Sequence, residues 1–521
     1  MNIQRFSLFP TLAYSAVIMI TALAFYGLIG FDQAQLDLQL LQDAYIQQIL
    51  FFSLQQAGLS ALFSVTLAIP IARAIHFLPQ LPGRRAFLRL CLLSFVMPTL
   101  VLITGLVILL GRSGYLSSLM GEDWNLYGLN GILLAHIYLN MPLAIRVLSQ
   151  QMSHIPDTSW RLAQQLKFTR WQQFSLIEWP AIKSTLLVLI GFIFVLCFNS
   201  FAVVLALGGG PGSTTLEVAI YQALKYDFNL SEALTLAWLQ FTLAGLVFLA
   251  MAKMGRLNWL SADTHSQRWQ PRFSPTMEKM YGGLYGVSWV VLLLPMLALL
   301  PKVLNVNLDS FSWFSILTAT LRSIGFALSS GLLATLLAWY LLQPIRWAYR
   351  NQKDSIRVIL QWLATHTLVA PAMVLSTGLY ILLLPNIDLD RWGILWLILL
   401  NAALLLPFVV AQLKPRLIQF DQQYWALSQN LKLNKQQQLS IIWPFIRPVM
   451  ASSFVLALLL ALGDVAVFSI FGHNDWSTLP WLIYGYAGSY RMAEAALASL
   501  LLLLVCTSLI YLFERESQHE K

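Results

Sequence analysis

The chain has little charge and little cysteine for its length. Charged residues fill 11% of its 521 positions, against about 25% in soluble globular domains, and only three cysteines occur. The shortage of charge excludes an ordinary soluble protein, and three scattered thiols exclude a disulfide framework. The thiols are expected to be small buried hydrophobic side chains: Cys91, Cys197 and Cys506.

Residue clusters that support catalysis or metal binding are also missing. The seven histidines are dispersed, and no pair of them has metal-ligand spacing. The glycine-rich stretch 208–214 has no lysine before its serine, so it is interpreted as a turn and not as a phosphate-binding loop. Since no nucleophile, paired carboxylate or Walker-type lysine is found elsewhere, an enzyme is disfavoured and ATP hydrolysis would need a separate subunit.

Long apolar runs are abundant, and they predict an all-α polytopic membrane protein. Hydrophobic residues make up 58% of the chain, and the runs are long enough to cross a hydrocarbon core of about 30 Å. They far exceed the roughly 10-residue alternating segments of a membrane barrel. About 12 transmembrane helices are predicted, at 8–30, 49–75, 87–110, 126–148, 182–207, 232–252, 283–304, 314–342, 358–384, 392–413, 446–471 and 493–513.

The distribution of Lys and Arg predicts the orientation. Most of the 32 basic residues fall in one set of loops, while acids such as Asp32, Glu122 and Asp388 fall in the other. The positive-inside rule therefore predicts cytoplasmic N- and C-termini. The net charge of +9 is interpreted as a topology signal, so the bilayer and not a nucleic acid is the expected partner. The first span exceeds the roughly 7–15 residues of a signal-peptide core, so an uncleaved anchor is expected.

A polar segment occurs twice between apolar runs. Loop 1, residues 161–180, and loop 2, residues 426–444, match at an offset of 265 that falls to 264 at their Trp-Pro pairs. Polar residues such as Gln164 and Lys167 have no partners in lipid, so the segment must project from the membrane or contact another protein. One copy alone could be an amphipathic surface helix. Two copies at matched topology favour docking of two partners.

The repeat extends across both halves of the chain. Residues 98–106 match 371–379 at an offset of 273, and 215–221 match 478–484 at 263; Leu54 and Gly58 align with Leu321 and Gly325 at 267. Each half holds six spans, which predicts a parallel repeat. The predicted divisions are a leading helix and loop (1–48), a first permease domain (49–255), a linker with a second leading helix (256–311), a second permease domain (312–515) and a tail (516–521).

Loops 1 and 2 resemble the coupling loop of binding-protein-dependent ATP-binding-cassette importer permeases. That pattern is Glu-Ala-Ala, three residues, Gly, nine residues, then Ile-x-Leu-Pro. Its Glu is replaced by Arg161 and Ala426, and its Gly by Lys167 and Lys432. The resemblance implies two ATPase-docking sets: Arg161, Leu162, Ala163, Leu166, Lys167, Ile177, Trp179 and Pro180 in loop 1, and Ala426, Leu427, Ser428, Leu431, Lys432, Ile442, Trp443 and Pro444 in loop 2.

Two further stretches, 207–224 and 463–491, resemble the thiamine-importer permeases. This resemblance implies the type I importer fold, a bacterial inner-membrane location and translocation of thiamine or its phosphate esters. It also implies two copies of a cytoplasmic ATPase, which would hold the ATP and Mg²⁺, and a periplasmic thiamine-binding protein. No cofactor is expected on this chain. Fused iron(III) importer permeases share the layout and stay an alternative, as does a secondary transporter.

Intramembrane polar residues are the default candidates for a substrate path. Asp464 is a carboxylate inside a predicted span, and Asn199 holds the same repeat position 265 residues earlier. With Tyr221 and Tyr484 at the outer ends, they could serve a cationic substrate through charge and aromatic faces. The alternative is structural: Asp464 caps a helix end or pairs with Arg322, and the tyrosines belong to the interfacial aromatic belt.

Overall fold

The computed structural model describes residues 8–29, 37–121, 123–254, 274–306 and 312–518, and within these ranges the regular structure is helical throughout. The first half contains eleven α-helices, with a π-helix at Phe174–Glu178 between α7 and α8. They are α1 (Leu8–Ile29), α2 (Ala44–Phe77), α3 (Arg84–Val96), α4 (Thr99–Leu110), α5 (Leu129–Met152), α6 (Asp157–Gln165), α7 (Arg170–Gln173), α8 (Trp179–Phe198), α9 (Phe201–Leu207), α10 (Leu216–Lys225) and α11 (Leu230–Met254).

The second half repeats this order with fewer breaks. Its loop 2 helices are continuous with the spans before and after them, so nine described helices take the place of eleven. They are α12 (Pro275–Val303), α13 (Trp313–Arg350), α14 (Asp354–Thr365), α15 (Ala372–Leu383), α16 (Leu389–Asn430), α17 (Lys435–Leu462), α18 (Ala466–Phe471), α19 (Leu479–Gly488) and α20 (Met492–Gln518). Short 3₁₀ turns lie at Leu38–Gln42, Ser117–Leu119, Pro211–Ser213, His366–Leu368 and Asn474–Trp476.

The membrane-spanning elements confirm a polytopic helical protein but correct two of the predicted spans. Among the described residues, ten helices are long and apolar enough to span, and two more candidates are bent pairs. The predicted spans 87–110 and 358–384 are these pairs: α3 and α4 meet at 101°, and the segment before α15 meets it at 81°. Pro98 and Pro371 stand at the bends. Proline disfavours helical conformation in the residue before it, so these two predicted spans are bent pairs and not single straight helices.

Two other predicted spans are divided near their ends. The helix predicted at 182–207 stops at Phe198 and resumes at Phe201, and the one predicted at 446–471 stops at Leu462 and resumes at Ala466. These breaks contain the repeat-related pair Asn199 and Asp464. Apolar composition alone did not reveal them, because an interruption of two or three residues changes the mean hydropathy very little.

The repeat also aligns α2 with its counterpart α13 at an offset that differs from the predicted 267. Ser53 Oγ accepts the Leu216 N–H at 3.0 Å, and Ser323 Oγ accepts the Leu479 N–H at 2.7 Å. These equivalent bonds set the offset from Ser53 to Ser323 at 270. A slip of three residues is nearly one helical turn, so it leaves the apolar face almost unchanged. Apolar periodicity could not distinguish the two registers.

The leading helices cross over between the halves. Helix α1 packs on α15 and α13 of the second half, and α12 packs on α4 and α2 of the first. The Tyr14 hydroxyl donates to the Leu341 carbonyl at 2.9 Å, and the Tyr285 hydroxyl donates to the Pro82 carbonyl at 2.8 Å. Each half therefore completes its bundle with the other's leading helix.

Glycines that recur in both halves lie where the leading helices cross α4 and α15. A Cβ on Gly378 of α15 would overlap the carbonyl of Ala24 in α1, and a Cβ on Gly105 of α4 would overlap the carbonyl of Pro295 in α12. Gly105 and Gly378 are themselves related by the offset of 273. Because Ala24 meets Gly378 as Pro295 meets Gly105, α1 and α12 correspond at an offset of 271. The close backbone approach explains why this glycine recurs in the repeat.

Other sequence expectations have clear outcomes. All three cysteines are buried. The glycine-rich stretch is a turn, with Gly209 and Gly210 at positive φ before a 3₁₀ turn. The predicted linker at 253–281 falls mostly outside the described residues, although its end is already helical from Pro275 onward.

Candidate functional site: loops 1 and 2 and the paired helix breaks

Loop 1 begins within α6, and that helix ends in a Schellman turn. Lys167 has a left-handed φ of 52°. Its N–H donates to the Gln164 carbonyl at 3.1 Å, and the Phe168 N–H donates to the Ala163 carbonyl at 2.9 Å. This pair of bonds satisfies carbonyls that the helix end would otherwise leave free. Glycine is favoured at this position because it has no Cβ, which explains the family's preference.

Loop 2 forms the same turn at the same offset. Lys432 has a φ of 50°, its N–H donates to the Gln429 carbonyl at 3.0 Å, and the Leu433 N–H donates to the Ser428 carbonyl at 3.2 Å. The backbone conformation is therefore kept in both loops although lysine stands at the glycine position.

The repeated Gln-Gln pair holds the next helix start. Thr169 and Gln172 form a capping box in loop 1, and Asn434 and Gln437 form one in loop 2. The following glutamine donates from Nε2 to the carbonyl of Phe168 at 3.1 Å in loop 1, and to that of Leu433 at 2.9 Å in loop 2. These glutamines thus bond within the loop, a role that their polarity alone did not reveal.

The predicted docking residues divide into an exposed and a packed set. Ala163, Ser428 and Ile442 are buried and Ile177 is partly buried, so these four pack within the loops. Leu162 and Leu427, each 54% exposed, occupy equivalent outward positions. The other exposed members are Arg161, Leu166, Lys167, Trp179, Pro180, Ala426, Leu431, Lys432, Trp443 and Pro444. The exposed set offers matched apolar surfaces to a partner.

The two loops differ by one inserted residue, Glu178. It ends the π-helix of loop 1, and π-bulges commonly accommodate such insertions. Its buried carboxylate accepts from the Arg73 guanidinium at 2.7 and 3.1 Å. The helix continues through the π-helix into α8, so the Trp-Pro pair lies within the same continuous helix as the following span. The same holds for Trp443 in α17.

Asp464 caps a helix at its break. Its carboxylate accepts the N–H groups of Val467 and Phe468 and the Nδ2 of Asn401, each at 3.3 Å. The structural alternative for Asp464 is therefore observed, with Asn401 as its side-chain partner instead of Arg322. At the equivalent break, Asn199 Oδ1 accepts from Gln240 at 3.4 Å. Both breaks are thus lined by amide and carboxyl groups.

The predicted tyrosines lie on α10 and α19, the helices that follow the breaks. Tyr221 is buried and meets Phe201 and Tyr226 edge to face, with ring centroids 5.2 and 5.7 Å apart. Burial raises its pKa, and the neighbouring Tyr226 and Tyr484 hydroxyls raise that pKa further. Tyr221 and Tyr484, one from each half, are therefore close enough for one hydroxyl to influence the pKa of the other.

The similarity of the chain to known proteins decides its family. The profile described as "Binding-protein-dependent transport system inner membrane component" matches residues 64–254 and 340–518. The chain is 34% identical to the "Thiamine transport system permease protein ThiP" of Escherichia coli (strain K12), over 98% of this chain and 96% of that protein. The chain belongs to this family of binding-protein-dependent inner-membrane transport components.

Other relatives agree with this assignment at the level of the family. The protein of the same name from Brucella abortus (strain 2308) is 36% identical over 92% of this chain and 89% of its own length. A "Putative ferric transport system permease protein" of Haemophilus influenzae (strain ATCC 51907 / DSM 11121 / KW20 / Rd) is 25% identical, over only 46% of this chain and 38% of its own. The chain is thus a multi-pass inner-membrane permease and a transport subunit.

The left-handed lysines of this permease give a first prediction. Lys167→Gly should stabilise the turn of loop 1 by about 0.5–1 kcal/mol, because the relief of Cβ strain exceeds the added freedom of the unfolded chain. Hydrogen exchange in nanodiscs should then slow at the Phe168 amide by about two- to fivefold. Gln164→Gly, inside α6, is the control and should speed exchange. Faster exchange in Lys167→Gly would contradict the strained turn.

Sequence reasoning missed a buried carboxyl in the permease, Glu217 of α10. One carboxyl oxygen accepts from Gln240 Nε2 at 2.6 Å, so Glu217 joins Asn199 through a shared amide. Burial raises the pKa of Glu217 from 4.5 to about 8, against the opposing effect of the Gln240 hydrogen bond. No sequence signal marked it, because a glutamate at a helix start usually faces solvent.

This carboxyl makes the stability of the permease depend on pH. Because the folded chain holds the Glu217 proton more tightly, the group's contribution is full below pH 4.5 and is lost as the pH rises to about 8. The melting temperature of the wild type should therefore fall as the pH rises from 4.5 to about 8. Glu217→Gln should remove the part of this fall that is due to Glu217. Thermal unfolding of wild type and variant at a series of pH values tests this, with Glu494→Gln as control. Parallel curves for Glu217→Gln and wild type would refute it.

Proposed function

We propose that this permease is the transmembrane core of an ATP-driven importer of thiamine and its phosphate esters. The observation that carries the proposal is similarity along 98% of the chain to a thiamine transport system permease protein. A fused iron(III) permease is the weaker candidate, because the ferric relative aligns over only 46% of this chain. A secondary transporter would leave the repeated geometry of loops 1 and 2 without a use.

Loops 1 and 2 would each seat one cytoplasmic ATPase subunit. Their matched Schellman turns and exposed Leu162 and Leu427 support this role, since equal surfaces suit two identical partners. With both loops in the cytoplasm, the N- and C-termini lie there too. Closure of the ATPase pair on ATP and Mg²⁺ would then shift both loops together and bias the bundle between two states.

The outer ends of the two halves would receive substrate from a periplasmic thiamine-binding protein. The ring cluster of Tyr221 with Phe201 and Tyr226, which Tyr484 approaches from the other half, supports a place for a cationic ring, because aromatic faces attract cations. Asn199 and Asp464 lie at the breaks that precede α9 and α18 in the two halves. Asp464 already caps α18, so its contribution would be to hold the break in shape beside the path.

Uptake in cells tests the proposal. The permease is expressed with its ATPase and binding protein in a strain without its own thiamine importer, and uptake of labelled thiamine and of ferric ion is measured. Thiamine uptake that vanadate blocks is expected. Ferric uptake instead would assign the substrate to the iron class, and thiamine uptake that survives vanadate would assign the protein to the secondary transporters.

A further inference from the structure

A groove of about 260 Å³ opens beside loop 2. It lies between the end of α13, the end of α16 and the start of α17, and this volume is close to the lower end of the about 300–1,000 Å³ typical of small-molecule pockets. Four of its fifteen lining residues are aromatic, Trp339, Phe420, Tyr424 and Trp425, and six more are Leu or Ile. The groove is thus large enough for one ring system and has an apolar, partly aromatic lining.

The groove also carries a net positive charge. Asp421 accepts from Arg346 at 2.6 and 2.9 Å and lies 3.6 Å from the Arg350 guanidinium, so one carboxylate faces two cations. Arg350 is 3.6 Å from the ring centroid of Trp425, and its side chain stays 19% exposed. Since the described lining includes no further charged side chain, Arg350 presents the excess charge to the groove.

The first half shows what fits at the equivalent place. There the buried ring of Tyr281 lies 5.6 Å from the Arg73 guanidinium, in one cluster with Trp160, the counterpart of Trp425. At the offset of 271 between the leading helices, Pro10 corresponds to Tyr281. At the offset of 270, Gln343 corresponds to Arg73. The second half therefore lacks the ring that fills the first.

We propose that this groove binds a small planar aromatic anion. The ring would take the place that Tyr281 fills in the first half, against the aromatic walls, and the anionic group would pair with Arg350. An occupant there touches α13, a spanning helix, and loop 2 at once. Binding would therefore stabilise one arrangement of loop 2 relative to the membrane core.

Calorimetric titration of the full chain in nanodiscs tests the site without any partner protein. Phenyl phosphate is the probe, with phenol lacking the charge and inorganic phosphate lacking the ring. Phenyl phosphate should bind at least about tenfold more tightly than either. Arg350→Gln, which removes the charge, and Ile441→Trp, which fills the groove from an exposed lining position, should each weaken it at least about tenfold.

Two matched variants complete the test. Leu176→Trp places the same ring at the equivalent exposed position of loop 1, and Arg357→Gln removes an arginine that pairs with Asp354 outside the groove lining. Both should bind phenyl phosphate like wild type. The proposal is overturned by three results: no saturable binding, unchanged affinity in Ile441→Trp, or inorganic phosphate binding as tightly as phenyl phosphate. Loss of ATPase binding in Ile441→Trp without probe binding in wild type would instead assign the groove to the partner.

Discussion

Gly378→Ala is expected to prevent the permease from reaching its folded state. The new Cβ would overlap the Ala24 carbonyl oxygen and would lie 2.8 Å from the Ala24 carbonyl carbon and 3.0 Å from Leu28. Backbone atoms cannot rotate away as a side chain can, so α1 would have to separate from α15. We expect a loss of at least about 3 kcal/mol, the upper end for overpacked cores.

Size-exclusion profiles and thermal unfolding in detergent measure this effect. Gly325→Ala is the matched control, because Gly325 lies within α13 and a Cβ added there would have no neighbouring atom within 4 Å. That control should gain stability of up to about 1 kcal/mol from the higher helix propensity of alanine. Gly105→Ala should fail like Gly378→Ala, since Pro295 blocks it. Equal behaviour of Gly378→Ala and Gly325→Ala would disprove the backbone contact.

The sequence predicted the repeat of these glycines but not its cause. The stretches 98–106 and 371–379 were recognisable because Pro, Thr and Gly stay in step between the halves. Their contact with leading helices from the opposite half was not predictable, because an apolar helix carries no record of which neighbour it meets. The bends at Pro98 and Pro371 could have been predicted from proline's effect on the preceding residue.

For loops 1 and 2 as well, some features could be predicted from the sequence and others could not. Their position between spans follows from apolar runs and charge, and the fold confirms two equivalent helix ends at Lys167 and Lys432. The role of the Gln-Gln pair was hidden, because a glutamine that closes a capping box has the same polarity as one that contacts a partner. The insertion of Glu178 was visible only as an offset falling from 265 to 264, and its buried pairing with Arg73 required three dimensions.

Leu162→Asp combined with Leu427→Asp is expected to abolish ATPase binding and transport. Both leucines are 54% exposed on equivalent faces of loops 1 and 2, and only their backbone carbonyls take part in the bonds at the helix ends. Burying a leucine at an interface contributes about 1.5–3 kcal/mol, so each single variant should weaken binding at least about tenfold. The double variant should lose ATPase binding at both loops, and its membrane core should unfold at the wild-type temperature.

Gln164→Asp combined with Gln429→Asp is the matched control, since it adds the same two charges at exposed positions of the same helices. Co-purification of the ATPase with each permease variant, followed by vanadate-sensitive uptake, measures the outcome. Loss of binding in the leucine pair alone assigns docking to the apolar surface. Loss in both pairs would mean that charge repulsion and not apolar contact governs the interface. Full ATPase binding by the leucine pair would remove loops 1 and 2 as docking sites, because an apolar contact cannot bury two unpaired carboxylates without a large loss of affinity.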